Sequence, residues 1–279
     1  MSATCKCLAL DGGGVFGIGQ ALILSQVDVS KFDFLVGTSI GSVIAASIAS
    51  GIDTAVIPEF FHEEMPRIFD RSFWRRINPL NSKYPDTALN AALIGLLKGE
   101  FGAVRKPLFI TAANLAEKKL KVFESTDVRD GASPLWDVCR SAVAAETYFQ
   151  PWNGYADGGV FANNPSMVAV AGASAKFGVE PSQLELCSIG TGSCSKAAFR
   201  SGEDHSIVWW GRWLLQALLN GSANTMHEFF VNSMRCKKHL RIDFVRDEKW
   251  GMDSPKDMLK AEKAWADDIK RGVDLVSAF

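Results

Sequence analysis

The chain has 279 residues, 47% hydrophobic and 22% charged, and its 30 basic and 31 acidic side chains leave a formal charge of −1. Such a composition excludes disordered, collagen-like and coiled-coil chains, and it provides no global field for nucleic acid. With no basic-then-apolar leader and no run of ~18 apolar residues, the expectation is a cytoplasmic protein that meets a membrane only at its periphery. Six cysteines, at positions 5, 7, 139, 187, 194 and 236, lie mostly in apolar runs and read as reduced core thiols, not as metal ligands.

Cys5–Leu10 predicts a short buried strand that runs into Asp11 and three glycines, followed by a helix over Gly19–Val27. Phe32–Val36 predicts a second strand ending at Gly37-Thr38-Ser39-Ile40-Gly41, and Ser42–Ser50 a helix of small residues closed by Gly51. Helical patterns follow over Asp53–Met65 and Thr87–Lys98, then strands over Pro107–Ala112 and Lys119–Phe123. A helix runs from an N-cap at Ser133 to about Ala145. Pro165–Phe177 reads as helix, Leu184–Ile189 as a strand entering Gly190-Thr191-Gly192, Ile207–Leu219 as helix, His239–Phe244 as strand and Lys256–Lys270 as helix. This alternation, without a linker, predicts one domain over residues 1–279. Its class is α/β, with three layers: a mostly parallel or mixed central sheet and helices on both faces.

The 24 glycines concentrate at 12–19, 37–41, 158–159 and 190–192. Gly37-Thr38-Ser39-Ile40-Gly41 fits G-x-S-x-G, which puts a serine on a sharp strand-to-helix turn beside the positive end of a helix. Gly12, Gly13 and Gly14 have two readings, a cradle for an oxyanion or for a pyrophosphate. Gly12-x-Gly14-x-x-Gly17 satisfies a dinucleotide pattern, yet Asp11 would set a carboxylate beside the phosphate and the second strand ends without an acid. A serine nucleophile needs a base. His62 and His227 each adjoin a glutamate in helical stretches, His205 lies in a polar loop, and no histidine sits in a glycine-rich turn. Asp157-Gly158-Gly159 remains: a carboxylate already ionised at neutral pH, which burial would make more basic.

In this order the three clusters, with Asn163-Asn164-Pro165 after the last, resemble those of patatin-like phospholipases. Phe109–Ala113, Val122–Ser125, Ser188–Gly192 and Leu240–Asp243 extend the likeness over nearly the whole chain. The resemblance implies a patatin-like fold, Ser39 as nucleophile and Asp157 as its partner in a Ser–Asp dyad. It implies an oxyanion hole from Gly12, Gly13, Gly14 and Ile40, with Gly37, Gly41, Gly158 and Gly159 shaping the turns. It further implies hydrolysis of acyl esters of phospholipids or related lipids through an acyl-enzyme, with no metal or cofactor. A regulated variant, held inactive until a nucleotide or partner binds, is the alternative. Three positions depart from the family pattern: Phe16 for a basic residue, Ser42 for a glycine and Glu146 for a frequent proline. The expected consequence is an altered head-group preference. Arg67, Arg71, Arg75 and Arg76, interleaved with aromatics, are the candidate contacts for anionic head groups. Trp209, Trp210 and Trp213, with the leucines that follow, read as a core helix.

Overall fold

The computed structural model describes residues 4–70, 82–194, 229–247 and 250–279, with residues 206, 209, 210, 214 and 217 in between. Strands β1 (Cys5–Leu10), β2 (Phe34–Thr38), β3 (Leu108–Asn114), β4 (Lys119–Glu124), β5 (Tyr155–Asp157), β6 (Leu184–Ile189) and β7 (Lys238–Ile242) form a seven-stranded sheet. Its order is β4-β3-β2-β1-β6-β7, and β5 also pairs with β3. β4 and β5 run antiparallel to β3, and the other pairings are parallel. The inner strands are mainly apolar because both faces are covered; Lys6 of β1 and Glu185 of β6, opposite each other in register, are the charged exceptions. In β1, Leu8 and Leu10 enter one core while Cys7 and Ala9 enter the other, the period-two alternation of a strand.

On the larger core pack α1 (Ile18–Leu24), α2 (Ile40–Ser50), α3 (Val56–Ile68), α4 (Asp86–Leu96) and α5 (Leu135–Ala142). On the smaller, α6 (Ser166–Phe177) sets Ala169, Val170 and Ala173 against Phe34, Val36 and Phe109. Helices α7 (Pro255–Ala264) and α8 (Ala266–Ser277) return to the larger core. The expected mixed sheet with helices on both faces is thus the observed one.

Differences from the predicted elements have local causes. The first helix is preceded by a 3-10 turn at Gly14–Gly17 and ends at Leu24. Pro134, not Ser133, caps α5, which stops at Ala142. The segment predicted as one helix over Lys256–Lys270 is two, because the chain bends at Trp265 (φ −95°, ψ 8°). That ring is buried, stacks on Phe244 at 4.4 Å between centroids and donates from Nε1 to the Val245 carbonyl at 2.8 Å. β5 has three residues, too few to show a period. Trp210 and Leu214, expected in the core, are 51% and 54% exposed; Trp213 and most of the Ile207–Leu219 segment lie outside the described residues. Among the described residues no helix is long and apolar enough to cross a membrane.

Replacing Trp265 by Ala removes this buried ring and its hydrogen bond. A loss of about 3–5 kcal/mol in unfolding free energy is expected in a urea titration.

Candidate active site

The chain turns out of β2 at Ser39, whose backbone stands at φ 52°, ψ −128°, a region that costs a residue with a Cβ of order 1–3 kcal/mol. The neighbouring glycines make the turn sterically feasible. A Cβ on Gly41 would lie 2.4 Å from the Leu10 carbonyl oxygen, and one on Gly37 would lie 2.5 Å from that of Gly41. Ser42, where the family pattern has a glycine, donates its hydroxyl to the Ser39 carbonyl at 2.5 Å and so closes the turn.

The turn also creates the meeting place. β2 pairs with β3 up to Thr38–Thr111, while β4 occupies the other edge of β3 from Phe109 to Asn114. Once β2 has left, β5 takes up the vacated edge at Ala112–Asn114, with Asp157 opposite Ala112. Asp157 follows Thr38 along the same edge, and Ser39 Oγ donates to its Oδ2 at 2.5 Å. Oδ1 accepts the Gly159 N–H at 2.8 Å. Gly158 has no room for a side chain: a Cβ would stand 2.4 Å from Thr111 Oγ1. Asp157 is buried, and desolvation pushes its carboxyl up to about 6, against the hydrogen bonds from Ser39 and Gly159 that pull it down.

The glycine loop lies on the other side of Ser39. Gly12 donates its N–H to the Asn163 carbonyl at 3.0 Å, so its expected part as an oxyanion donor is corrected: its contribution is closeness, a Cβ there standing 2.9 Å from that of Ser39. Among the described residues no hydrogen bond engages the N–H of Gly13 or Gly14, and both line a cavity with Ser39 and Ile40. Ile40 opens α2, where a first-turn N–H has no intrahelical acceptor. Gly13 touches Thr191 too closely for any side chain, and Gly14 takes φ +59° against the Met252 carbonyl. Asp11, next to the loop, is not free to meet a ligand: Arg241 grips both its oxygens, at 3.0 and 2.6 Å. The dinucleotide reading loses its third glycine as well, because Gly17 packs into the core on Phe61 and Ile40.

Phe16, in place of a basic residue, is fully buried between Trp250 and Trp265 beneath the loop, and the Arg246 guanidinium lies 4.9 Å over its ring. The cavity has a volume of about 720 Å³. Helices α2, α3 and α4 give it an apolar lining of Val43, Phe60, Met65, Ile68, Leu89 and Leu93. Near its polar part Lys83 pairs with Asp253, which also accepts from Tyr84 Oη at 2.6 Å; Glu146 and Tyr148 line the same side. Arg67 is exposed and bonds Glu64 at 2.5 Å, and Arg71, Arg75 and Arg76 lie outside the described residues. Among the described residues no histidine lines the cavity: His62 pairs with Glu262 at 3.0 Å and His239 is on β7.

Sequence reasoning missed Arg241, Lys83 and Asp253, whose partners are 230, 170 and 170 positions away. The glycines around Thr191 were a visible signal for a close approach; the partner they meet was not.

A mixed α/β sandwich carrying a serine elbow hydrogen-bonded to a buried aspartate defines the class of molecule. Residues 8–170 match the family model for patatin-like phospholipase, and the chain belongs to that family. It is 27% identical over 237 residues to a cGAMP-activated phospholipase of Escherichia coli strain TW11681, covering 72% of this chain and 64% of that protein. It is 26% identical to Patatin-B1 of Solanum tuberosum over 86% of this chain and 74% of the relative. The chain thus spans just under two thirds of the first relative's length. In fold it resembles VipD of Legionella pneumophila, with a TM-score of 0.52 at 12% identity over 98% of this chain and 67% of VipD.

Glycine at position 39 would relax the turn without restoring a hydroxyl. Ser39→Gly is therefore expected to be about 1 kcal/mol more stable than Ser39→Ala in chemical denaturation, since the two differ only in the Cβ held at positive φ.

Proposed function

We propose that the chain is a single-domain lipid acyl hydrolase that cleaves fatty-acyl esters of phospholipids or related lipids, with Ser39 as nucleophile and Asp157 as base. The observation that carries this reading is the 2.5 Å hydrogen bond from Ser39 Oγ to Asp157 Oδ2 at the wall of a cavity lined largely by apolar side chains. Ser39 Oγ attacks the ester carbonyl carbon while its proton passes to Asp157 Oδ2. The carbonyl oxygen takes the negative charge facing the N–H groups of Gly13, Gly14 and Ile40 and the N-terminus of α2. Collapse expels the alcohol, which takes the proton from Asp157 and leaves the acyl group on Ser39. Water, deprotonated by Asp157, then releases the fatty acid. A carboxyl near 6 is ionised at neutral pH and still basic enough to assist. The apolar lining accepts the acyl chain, and the substrate comes from a lipid surface by peripheral contact.

A second reading, a phospholipase switched on by a nucleotide, is favoured by the name of the cGAMP-activated relative. Rates measured with and without cGAMP separate a constitutive enzyme from a switched one.

Ser39→Ala and Asp157→Asn are each expected to abolish hydrolysis of a short-chain p-nitrophenyl ester, with circular dichroism unchanged; full activity in either would overturn the dyad. Because the base must be ionised and burial has raised its carboxyl, activity in the wild type should disappear as pH falls through about 6. An unperturbed aspartate would instead hold activity to about pH 4.

A further inference from the structure

We propose that Glu146 is a positioning residue for this reaction: its carboxyl, in the same cavity as Ser39 and Asp157, controls how readily Asp157 gives up its negative charge. The proposal rests on the Ser39–Asp157 reading above. Glu146 stands in a segment fixed from both sides. The Ala144 carbonyl accepts the Asp157 N–H at 3.0 Å, and the carbonyls of Thr147 and Tyr148 accept the N–H groups of Lys83 and Tyr84, each at 2.9 Å. Between these anchors Thr147 adopts φ 71°, a conformation uncommon for a β-branched residue. The segment that carries Glu146 is therefore pinned to the strand that carries Asp157, and both side chains line the cavity.

Around the cavity the other titratable groups among the described residues are Lys83, Tyr148 and Asp253. Lys83 is engaged by Asp253, so it does not neutralise Glu146. Burial first, and then the charge of Asp157, push Glu146 up to about 7, while burial pushes Asp157 up to about 6. The pair therefore loses its protons in two steps as pH rises. In the first, Asp157 ionises beside a neutral Glu146 and the base becomes available. In the second, Glu146 ionises and faces a like charge. During attack, the proton moves from Ser39 Oγ to Asp157 Oδ2 and the negative charge moves to the substrate oxygen, on the Gly13 and Gly14 side of Ser39. An ionised Glu146 favours that transfer, because it relieves the repulsion between the buried Asp157 carboxylate and the half-buried Glu146 carboxylate.

The test is the pH profile of kcat/KM for an uncharged short-chain p-nitrophenyl ester, read at the isosbestic wavelength of the product. The wild type should rise in two steps, near about 6 and near about 7. Glu146→Gln should keep the first step and lose the second, with kcat/KM at about pH 8 lowered roughly three- to tenfold. Glu146→Asp should restore two steps. A single step in the wild type, a second step that survives Glu146→Gln, or a fall in activity at the second step would each overturn the proposal. Carboxyl ¹³C NMR supplies a readout independent of turnover: the Glu146 resonance should titrate near about 7 and move to lower pH in Asp157→Asn. An unmoved resonance would also overturn it. If Ser39→Ala retained activity, the dyad reading would fail, whereas the NMR coupling between the two carboxyls would stand or fall by itself.

Discussion

At Ser39 the backbone leaves the β2 edge of the sheet in a conformation that a residue with a Cβ rarely holds, and the site depends on that departure. The same turn accomplishes three things. It lifts the hydroxyl above the end of the strand, it aims the N-terminus of α2 at that hydroxyl, and it frees the edge of β3 on which β5 then pairs. Without the last of these, Asp157 would have no strand to hold it beside Ser39. The strain at one residue is tolerated because it is spread over a tightly packed surround: Gly37 against Gly41, Gly41 against Leu10 and Ser42 against the Ser39 carbonyl.

The glycine loop is supported differently. Above it, Thr191 and Asn163 bind the Gly12 carbonyl; below it, Phe16 lies in a cluster with Trp250 and Trp265. Asp11 is held by two hydrogen bonds from Arg241, a pair whose separation would leave a buried charge uncompensated. The loop that carries Gly13 and Gly14 is thus held in place by contacts from distant parts of the chain. The substitution of Phe16 for a basic residue leaves a guanidinium close by, that of Arg246, now on the face of a buried ring.

Burial raises the Asp157 carboxyl, and the charge of Asp157 adds to burial in raising that of Glu146. Two carboxyls in one low-dielectric cavity cannot titrate independently, so a departure from the family pattern at one position is felt at the other. The cavity combines apolar side chains of α2, α3 and α4 with the polar Lys83–Asp253 pair.

Much of this was legible in the chain itself. Cys5–Leu10 and Leu184–Ile189 are strands with the bounds their apolar runs suggested, since a buried parallel strand is mainly apolar and turn residues mark its end. Gly37-Thr38-Ser39-Ile40-Gly41 announced its elbow because both glycines are needed there, Gly37 against the turn itself and Gly41 against the β1 backbone at Leu10 and Asp11. What stayed hidden were contacts between positions far apart in sequence: Arg241 on Asp11, Asp253 on Lys83, and the Asn163 carbonyl that takes the Gly12 N–H. The third of these altered a residue's role, because glycine content reveals where the backbone comes close but not which N–H it leaves unbonded. Local sequence thus determined these strands and the turn at Ser39. Only the tertiary structure decided that Asp157 follows Thr38 along one edge of β3, beside Ser39, and that Glu146 lines the same cavity, because register and burial arise from packing between segments, which no local pattern encodes.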